Sequence, residues 1–288
     1  MKKYKKQFLG DDIDHPSFQN APVIILPFGY EGGVSYGKGT SKAPDSIIDA
    51  SYYLELYDEV LDIEPYTVGI LTIEPPVIPT DPEKMVQTMY DTTKKILAED
   101  KFIVSVGGDH SISTGYCKAL LEKYGNLSVI QIDAHADLRH SYAGSIYSHA
   151  SVMSRIRELT TDTLQIGIRS LSKEEAQMIK DENLLFCTMN DFRNGNFDID
   201  AALKNLPDPV IITFDVDALD WSVVSSTGTP EPGGLLWDET LNLLTRIFSA
   251  KNVIGFDLVE LSHNEYDPNS AFAVAKLIYK MIGYKYYL

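Results

Sequence analysis

Cysteine is nearly absent from this 288-residue sequence: only Cys117 and Cys187 occur, far apart and without Cys-x-x-Cys spacing. That excludes a disulfide framework and fits a reducing compartment. No apolar run approaches the ~20 residues of a membrane span. The basic start, Met1-Lys-Lys-Tyr-Lys-Lys, runs into Gly10-Asp-Asp where a signal peptide needs an apolar stretch. A cytoplasmic location is therefore expected. Basic residues are also scarce, 25 Lys+Arg against 41 Asp+Glu, for a net charge of −16. Nothing is left over to neutralise phosphates, which argues against nucleic-acid and anionic-membrane partners, whereas a cationic ligand is compatible. Repeats, low-complexity tracts and linker-like shifts are missing too. With 44% hydrophobic and 23% charged residues, the chain reads as one globular domain, 1–288.

What is present is a series of short, continuous apolar runs: 23–26, 102–106, 127–132, 164–168, 184–186, 210–214 and 253–256. Continuity rather than alternation suits strands of a parallel sheet covered on both faces. Helical patterns lie between them, at 81–97, 113–123, 148–159, 174–179, 238–248 and 271–282. The first opens on Asp81-Pro82-Glu83, an N-cap with proline at the first helical position. The alternation predicts an α/β fold, a three-layer αβα sandwich around a mainly parallel sheet.

Four of the runs end in polar clusters. These are Gly107-Gly-Asp109-His110-Ser111, Asp133-Ala-His135-Ala-Asp137, Asp215-Val-Asp217-Ala-Leu-Asp220 and Asp257-Leu-Val-Glu260. Ligands of open parallel sheets bind beyond the carboxyl ends of strands, so the clusters are expected to share one crevice. On extended chain, Asp133, His135 and Asp137 would point to one face, as would Asp215 and Asp217. So many adjacent carboxylates repel one another unless cations sit among them. The candidate ligands are His110, Asp133, His135, Asp137, Asp215 and Asp217. Oxygen-rich ligation with some imidazole suits Mn²⁺ better than Zn²⁺. Asp220 and Asp257 fit loop acids as well as ligands, and Asp109 and Ser111 fit supports of His110.

With these segments on the page, together with Ser148-His-Ala-Ser, Gly228-Thr-Pro-Glu-Pro-Gly-Gly and Gly255-Phe-Asp-Leu-Val-Glu-Leu, the chain resembles the ureohydrolase (arginase/agmatinase) family from about residue 23 to the end. The resemblance implies the arginase-like sandwich, a homo-oligomer (trimer or hexamer) and two Mn²⁺ per subunit. His110, Asp133, Asp137 and Asp215 would hold one ion, and Asp133, His135, Asp215 and Asp217 the other. A hydroxide bridging the metals would attack the guanidinium carbon of a small cationic guanidino substrate. Glu260 would grip the guanidinium as a carboxylate fork. Asp137 would hydrogen-bond the tetrahedral intermediate, and His149 would shuttle a proton to the leaving amine.

The run Asp137-Leu-Arg139, then Tyr142-x-Gly144, then Ser148-His-Ala-Ser is most similar to agmatinases, which convert agmatine to putrescine and urea. Arginase or guanidinobutyrase activity is the alternative. Arg139 could meet a substrate carboxylate or pair with a nearby acid. Glu31, in the glycine-rich segment 29–37, could draw in a distal amine or stand on a solvated loop. The family pattern is broken at Trp221 and His263, where proline is usual, and at 223–226. All three departures are expected around the substrate cleft. Two remoter readings remain. One is a phosphate-binding loop at Gly32-x-x-x-x-Gly37-Lys38, which lacks the following Ser or Thr and in which Pro44 should interrupt the next helix. The other is a metal-binding homologue without activity.

Overall fold

The computed structural model describes residues 1–288. Eight strands form one sheet: β1 (Val23–Phe28), β2 (Ile70–Thr72), β3 (Phe102–Gly107), β4 (Ser128–Ile132), β5 (Thr163–Ile168), β6 (Leu185–Thr188), β7 (Val210–Asp215) and β8 (Val253–Val259). Every neighbouring pair is parallel, in the order β2-β1-β3-β8-β7-β4-β5-β6. Nine α-helices complete it: α1 (Ala43–Ser51), α2 (Pro82–Leu97), α3 (Ser113–Tyr124), α4 (Val152–Arg157), α5 (Lys173–Asp181), α6 (Met189–Asn194), α7 (Ile199–Asn205), α8 (Trp237–Ala250) and α9 (Pro268–Tyr287).

The continuous apolar runs follow from the two helical layers. Val104, Ile130, Ile212 and Phe256 face a core built with α1, α7, α8 and α9. Ile24, Ile103, Val129 and Ile211 face the other, built with α2, α3 and α4. The αβα sandwich is as expected, and no helix is long and apolar enough to cross a membrane.

Local differences have local causes. Strand β2 has only three residues, too short a run to stand out in the sequence. Pro44 does not interrupt a helix; it sits in the first turn of α1, where no intrahelical N–H is needed. The single helix expected over 148–159 splits into a 3₁₀ turn, His149–Ser151, followed by α4. Helices α6 and α7, of six and seven residues, were not expected at all.

The topology decides where the chemistry lies. From β3 the chain passes through α3 to β4, leaving room between them for two strands that β8 and β7 later fill. The four strands that end in polar clusters are therefore the four adjacent central ones. The carboxyl end of β3 is anchored to the end of β1 and the loop after it by close backbone contacts. Gly108 donates to Phe28 O and Asp109 to Tyr30 O, at 3.1 and 2.9 Å. A Cβ on Gly108 would lie 2.0 Å from the Tyr30 carbonyl oxygen. Gly108→Ala must push backbone apart, and a destabilisation of about 1–3 kcal/mol in thermal unfolding is expected; an unchanged melting temperature would show that this contact is slack.

Candidate metal centre and active site

Asp133, Asp215 and Asp217 share one arrangement. In each, one carboxylate oxygen is tied to a backbone N–H and the other faces a histidine. Asp133 Oδ1 accepts from His135 N at 2.6 Å, Asp215 Oδ1 from Asp217 N at 2.9 Å, and Asp217 Oδ1 from Ala134 N at 3.1 Å. The other oxygens of Asp133 and Asp215 lie 3.2 and 3.3 Å from His110 Nδ1, and Asp137 Oδ2 lies 3.1 Å from the same atom. Asp217 Oδ2 lies 2.9 Å from His135 Nδ1. Two groups result, His110–Asp133–Asp137 and Asp133–His135–Asp217, whose ligand atoms lie within 4.8 Å of one another. Asp133 is common to both. Asp215 reaches His110 but stands outside either tight group.

These atoms fit cations. His110 Nδ1 is buried and has no aligned hydrogen-bond partner, although three carboxylate oxygens surround it. Its other nitrogen, Nε2, sits 2.9 Å from Thr213 Oγ1, whose hydroxyl donates to the buried Asp257 Oδ1 at 2.8 Å. Thr213 can therefore only accept from Nε2–H, which leaves the Nδ1 lone pair for a metal. Thr213 went unread in the sequence, and Asp257 was left ambiguous. A hydroxyl residue inside the apolar run 210–214 was the available signal.

The electrostatics point the same way. Burial raises the Asp137 carboxyl to about 7, helped by the Asp133 charge. Burial also raises Asp215 well above the usual range and raises Asp217, each reinforced by neighbouring carboxylates. Burial opposes a charged His135, yet Asp133 and Asp217 lift it to about 12. His110 is raised likewise against burial by its three carboxylates. Asp133 alone is held low, because both histidines outweigh its burial. Without a cation the cluster keeps protons in order to stay balanced.

Not all of the expected geometry holds. Strand β4 stops at Ile132, and Asp137 reaches the cluster by a left-handed turn, φ +53°, rather than by period-two alternation. Glu260 is left-handed as well, φ +66°. It is pinned there by its own N–H to Gly108 O and by Thr227 Oγ1 donating to its carbonyl. Its Oε1 accepts from His110 N at 2.7 Å, which ties it to the cluster. Burial and the Asp109 charge raise its carboxyl well above normal. Asp109 itself accepts from Ser111 N and Oγ and from Gly33 N, so both residues hold the loop around His110.

A cavity of about 250 Å³ opens onto His135 and Asp137, walled by Ser35, Arg139, Tyr142, His149 and Thr229 among others. His149 Nε2 is 2.9 Å from Ser35 Oγ, and its ring meets Tyr142 edge-on at 5.6 Å. Burial lowers its pKa, the His110 and His135 charges adding to the effect against Asp109. Arg139 pairs with no acid; its guanidinium lies 5.7 Å from the Tyr142 ring centre. Glu31 does not line this cavity, because its carboxylate accepts from Gly39 N, Ser41 N and Ser41 Oγ. Gly33 N donates to Asp109 and Gly37 N to Gly228 O, so these two N–H groups of the loop are turned to different protein acceptors rather than to one shared anion site, which counts against the phosphate-loop reading. Trp221 and His263 lie outside the cavity wall too. His263 Nδ1 bonds Ser46 Oγ at 2.7 Å, while Ser225 and Ser226 donate to Asp267 at the start of α9.

The arginase family model matches residues 21–283. The chain belongs to the arginase family. It is a ureohydrolase, a hydrolase of guanidino C–N bonds. It is 38% identical to the N(1)-aminopropylagmatine ureohydrolase of Synechocystis sp., over 97% of this chain and 94% of that one. It is 32% identical to the agmatinase of Pyrococcus horikoshii, over 94% and 95%. The agmatine ureohydrolase of Thermoplasma volcanium superposes with a TM-score of 0.85 at 28% identity, covering 94% of this chain and 92% of that one.

The retained protons set a pH dependence for chelator-treated protein. Asp137 (folded value about 7) and His135 (about 12) hold protons in the fold that the unfolded chain has already released above its ordinary values. Their stabilisation is complete below the unfolded values and is lost as pH rises through the folded ones. The lowered Asp133 acts only in acid, and the lowered His149 opposes the trend only below neutrality. The metal-free melting temperature should fall between about pH 5 and pH 8, and added Mn²⁺ should raise it more at pH 8 than at pH 6. A melting temperature that rises over this range would contradict the proton assignment.

Proposed function

We propose that the enzyme hydrolyses a guanidinium carried on an aliphatic amine, with two Mn²⁺ per subunit, releasing urea and the amine. The two ligand groups sharing Asp133, beside the buried Glu260, carry this reading. N¹-aminopropylagmatine and agmatine are the proposed substrates, from the names of the similar proteins and from an acidic chain that favours approach of a cation.

His110, Asp133, Asp137 and Asp215 would hold one ion, and Asp133, His135, Asp215 and Asp217 the other. Bound there, the cations supply an acidified water and Lewis-acid polarisation. Glu260 accepts hydrogen bonds from the guanidinium and fixes its plane. Its carboxyl, raised by burial and Asp109, ionises most readily against that permanent cation. Asp137 accepts a hydrogen bond from the reacting centre. His149, neutral at pH 7 because burial lowers its pKa, takes up a proton and delivers it to the leaving amine. The reading extends to a homo-oligomer, trimer or hexamer, which light scattering would report.

One observation favours a second substrate class. Arg139 at the cavity wall has no acid partner and could meet the carboxylate of arginine or guanidinobutyrate. Urea release from N¹-aminopropylagmatine, agmatine, arginine and guanidinobutyrate decides between them. Turnover confined to the carboxylated substrates, and lost in Arg139→Ala, would overturn the amine reading.

Asp133→Asn should remove metal and activity together, since Asp133 belongs to both groups; a variant that keeps both metals at full activity would refute its bridging position. His149→Ala should retain metal, measured by elemental analysis, while kcat falls by roughly 10²–10⁴-fold. An unchanged kcat would take His149 out of the mechanism.

A further inference from the structure

Two buried amides lie beside the cluster, on strands that are otherwise largely apolar. Gln131 on β4 and Gln165 on β5 are direct register partners, 0% and 1% exposed. Burying an amide is costly unless its hydrogen-bonding groups are met. Gln131 Nε2 donates to Asp133 Oδ2 at 2.6 Å and approaches Asp137 Oδ2 at 3.4 Å. Those are the two oxygens that face His110 Nδ1. Gln165 Nε2 donates in turn to Gln131 Oε1, and to Ala136 O at 2.7 Å.

The direction of this chain is forced from both ends. Ionised carboxylates only accept, so Gln131 must present its NH₂ to them and turn its oxygen toward Gln165. That oxygen needs a donor, and the Ala136 carbonyl also only accepts, so Gln165 must present its NH₂ to both. Gln165 Oε1 is consequently left buried without a partner. An apolar pair of similar size would fill the space without that orphan oxygen, so packing alone does not account for two glutamines here.

We propose that Gln131 and Gln165 form a one-way amide relay that positions Asp133 and Asp137 as ligands of a shared cation. Gln131 draws the two carboxylate oxygens to one side and offsets their repulsion. Gln165 acts only through Gln131, by fixing which way its amide points. Both are positioning residues. The inference rests on the metal-centre reading above and adds to it residues outside the ligand set.

The test compares wild type, Gln131→Leu, Gln165→Met and the double variant. Mn²⁺ affinity is measured by titration calorimetry, stoichiometry by elemental analysis, the loaded centre by electron paramagnetic resonance, and folding by thermal melting. Gln131→Leu should bind Mn²⁺ about 10–100-fold more weakly, with an altered resonance spectrum, as expected when a partner that orients a ligand is lost. Gln165→Met should weaken binding by less, and the double variant should be no weaker than Gln131→Leu alone. Wild-type affinity and spectrum in Gln131→Leu would overturn the relay, as would losses that multiply in the double variant. Should Gln131→Leu not fold, Gln165→Met decides: weaker binding at an unchanged melting temperature supports the relay, and wild-type affinity overturns it. A wild-type protein that takes up no Mn²⁺ would instead overturn the metal-centre reading, a result distinct from failure of the relay.

Discussion

The structure depends on one electrostatic constraint: four aspartates, Asp133, Asp137, Asp215 and Asp217, are packed together almost out of contact with water. Two imidazoles touch their carboxylates directly, and the Arg169 guanidinium stands near Asp217, Asp133 and Asp215 without pairing with them. Such a cluster is costly unless each lone pair is met or a cation is supplied. The surroundings divide that task. Backbone N–H groups hold one oxygen of each of Asp133, Asp215 and Asp217, which leaves the other oxygens turned inward. Thr213 and Asp257 fix the proton of His110 on the outer nitrogen. Both left-handed residues of the centre, Asp137 and Glu260, have their backbones tied by hydrogen bonds. Asp137 O accepts from Ser154 N, and Glu260 is bonded at both N–H and C=O. Backbone strain of this kind persists where the neighbourhood over-determines it.

The chemistry was legible in the sequence because its residues stand immediately after apolar strand runs. A run of Val and Ile followed by Asp-x-His-x-Asp reports both a buried strand and what stands at its end. The parallel sheet then carries Asp133 and Asp215 to adjacent strand ends without any further information. Less was legible where the position depends on distant chain. The left-handed turn at Asp137 is held by Ser154 N on its carbonyl and by Glu175 on the next N–H, neither of which is a strand neighbour. Glu31 could not be placed from its own loop, since its partners are Gly39 and Ser41 in the following turn. Gln131 and Gln165 were visible only as polar interruptions of apolar runs, and their meaning depends on a register between strands that the sequence does not state.

Substrate choice was the least legible feature for the same reason. The candidate metal ligands stand at or just beyond strand ends, whereas the cavity in front of them is made by four separate loops, carrying Ser35, Arg139 with Tyr142, Leu171 and Thr229. Loops vary in length and side chain without disturbing a sheet, so one scaffold serves several substrates. The departures from the family pattern illustrate the point. Ser225, Ser226 and His263 do not meet in the cavity: the two serines bind Asp267 and fasten the 220s loop to the start of α9, and His263 binds Ser46 and fastens the segment after β8 to α1. An unusual residue near a motif in sequence was, in space, part of a separate structural network.

Under the proposed function, the buried carboxylate of Glu260 would extend the same constraint from the ligand cluster to the substrate. Burial and the nearby Asp109 charge both favour its protonated form, while one N–H, from His110, favours the ionised form. A neutral ligand would leave that balance unchanged. A guanidinium cannot lose its proton in this pH range and offers two parallel N–H donors, so its arrival would both ionise Glu260 and satisfy it. An ammonium would supply charge without the parallel fork. Under the proposed function, discrimination for the guanidino end therefore needs no dedicated pocket: it follows from a carboxylate that is buried before the substrate arrives and is complete only when a planar cation lies against it.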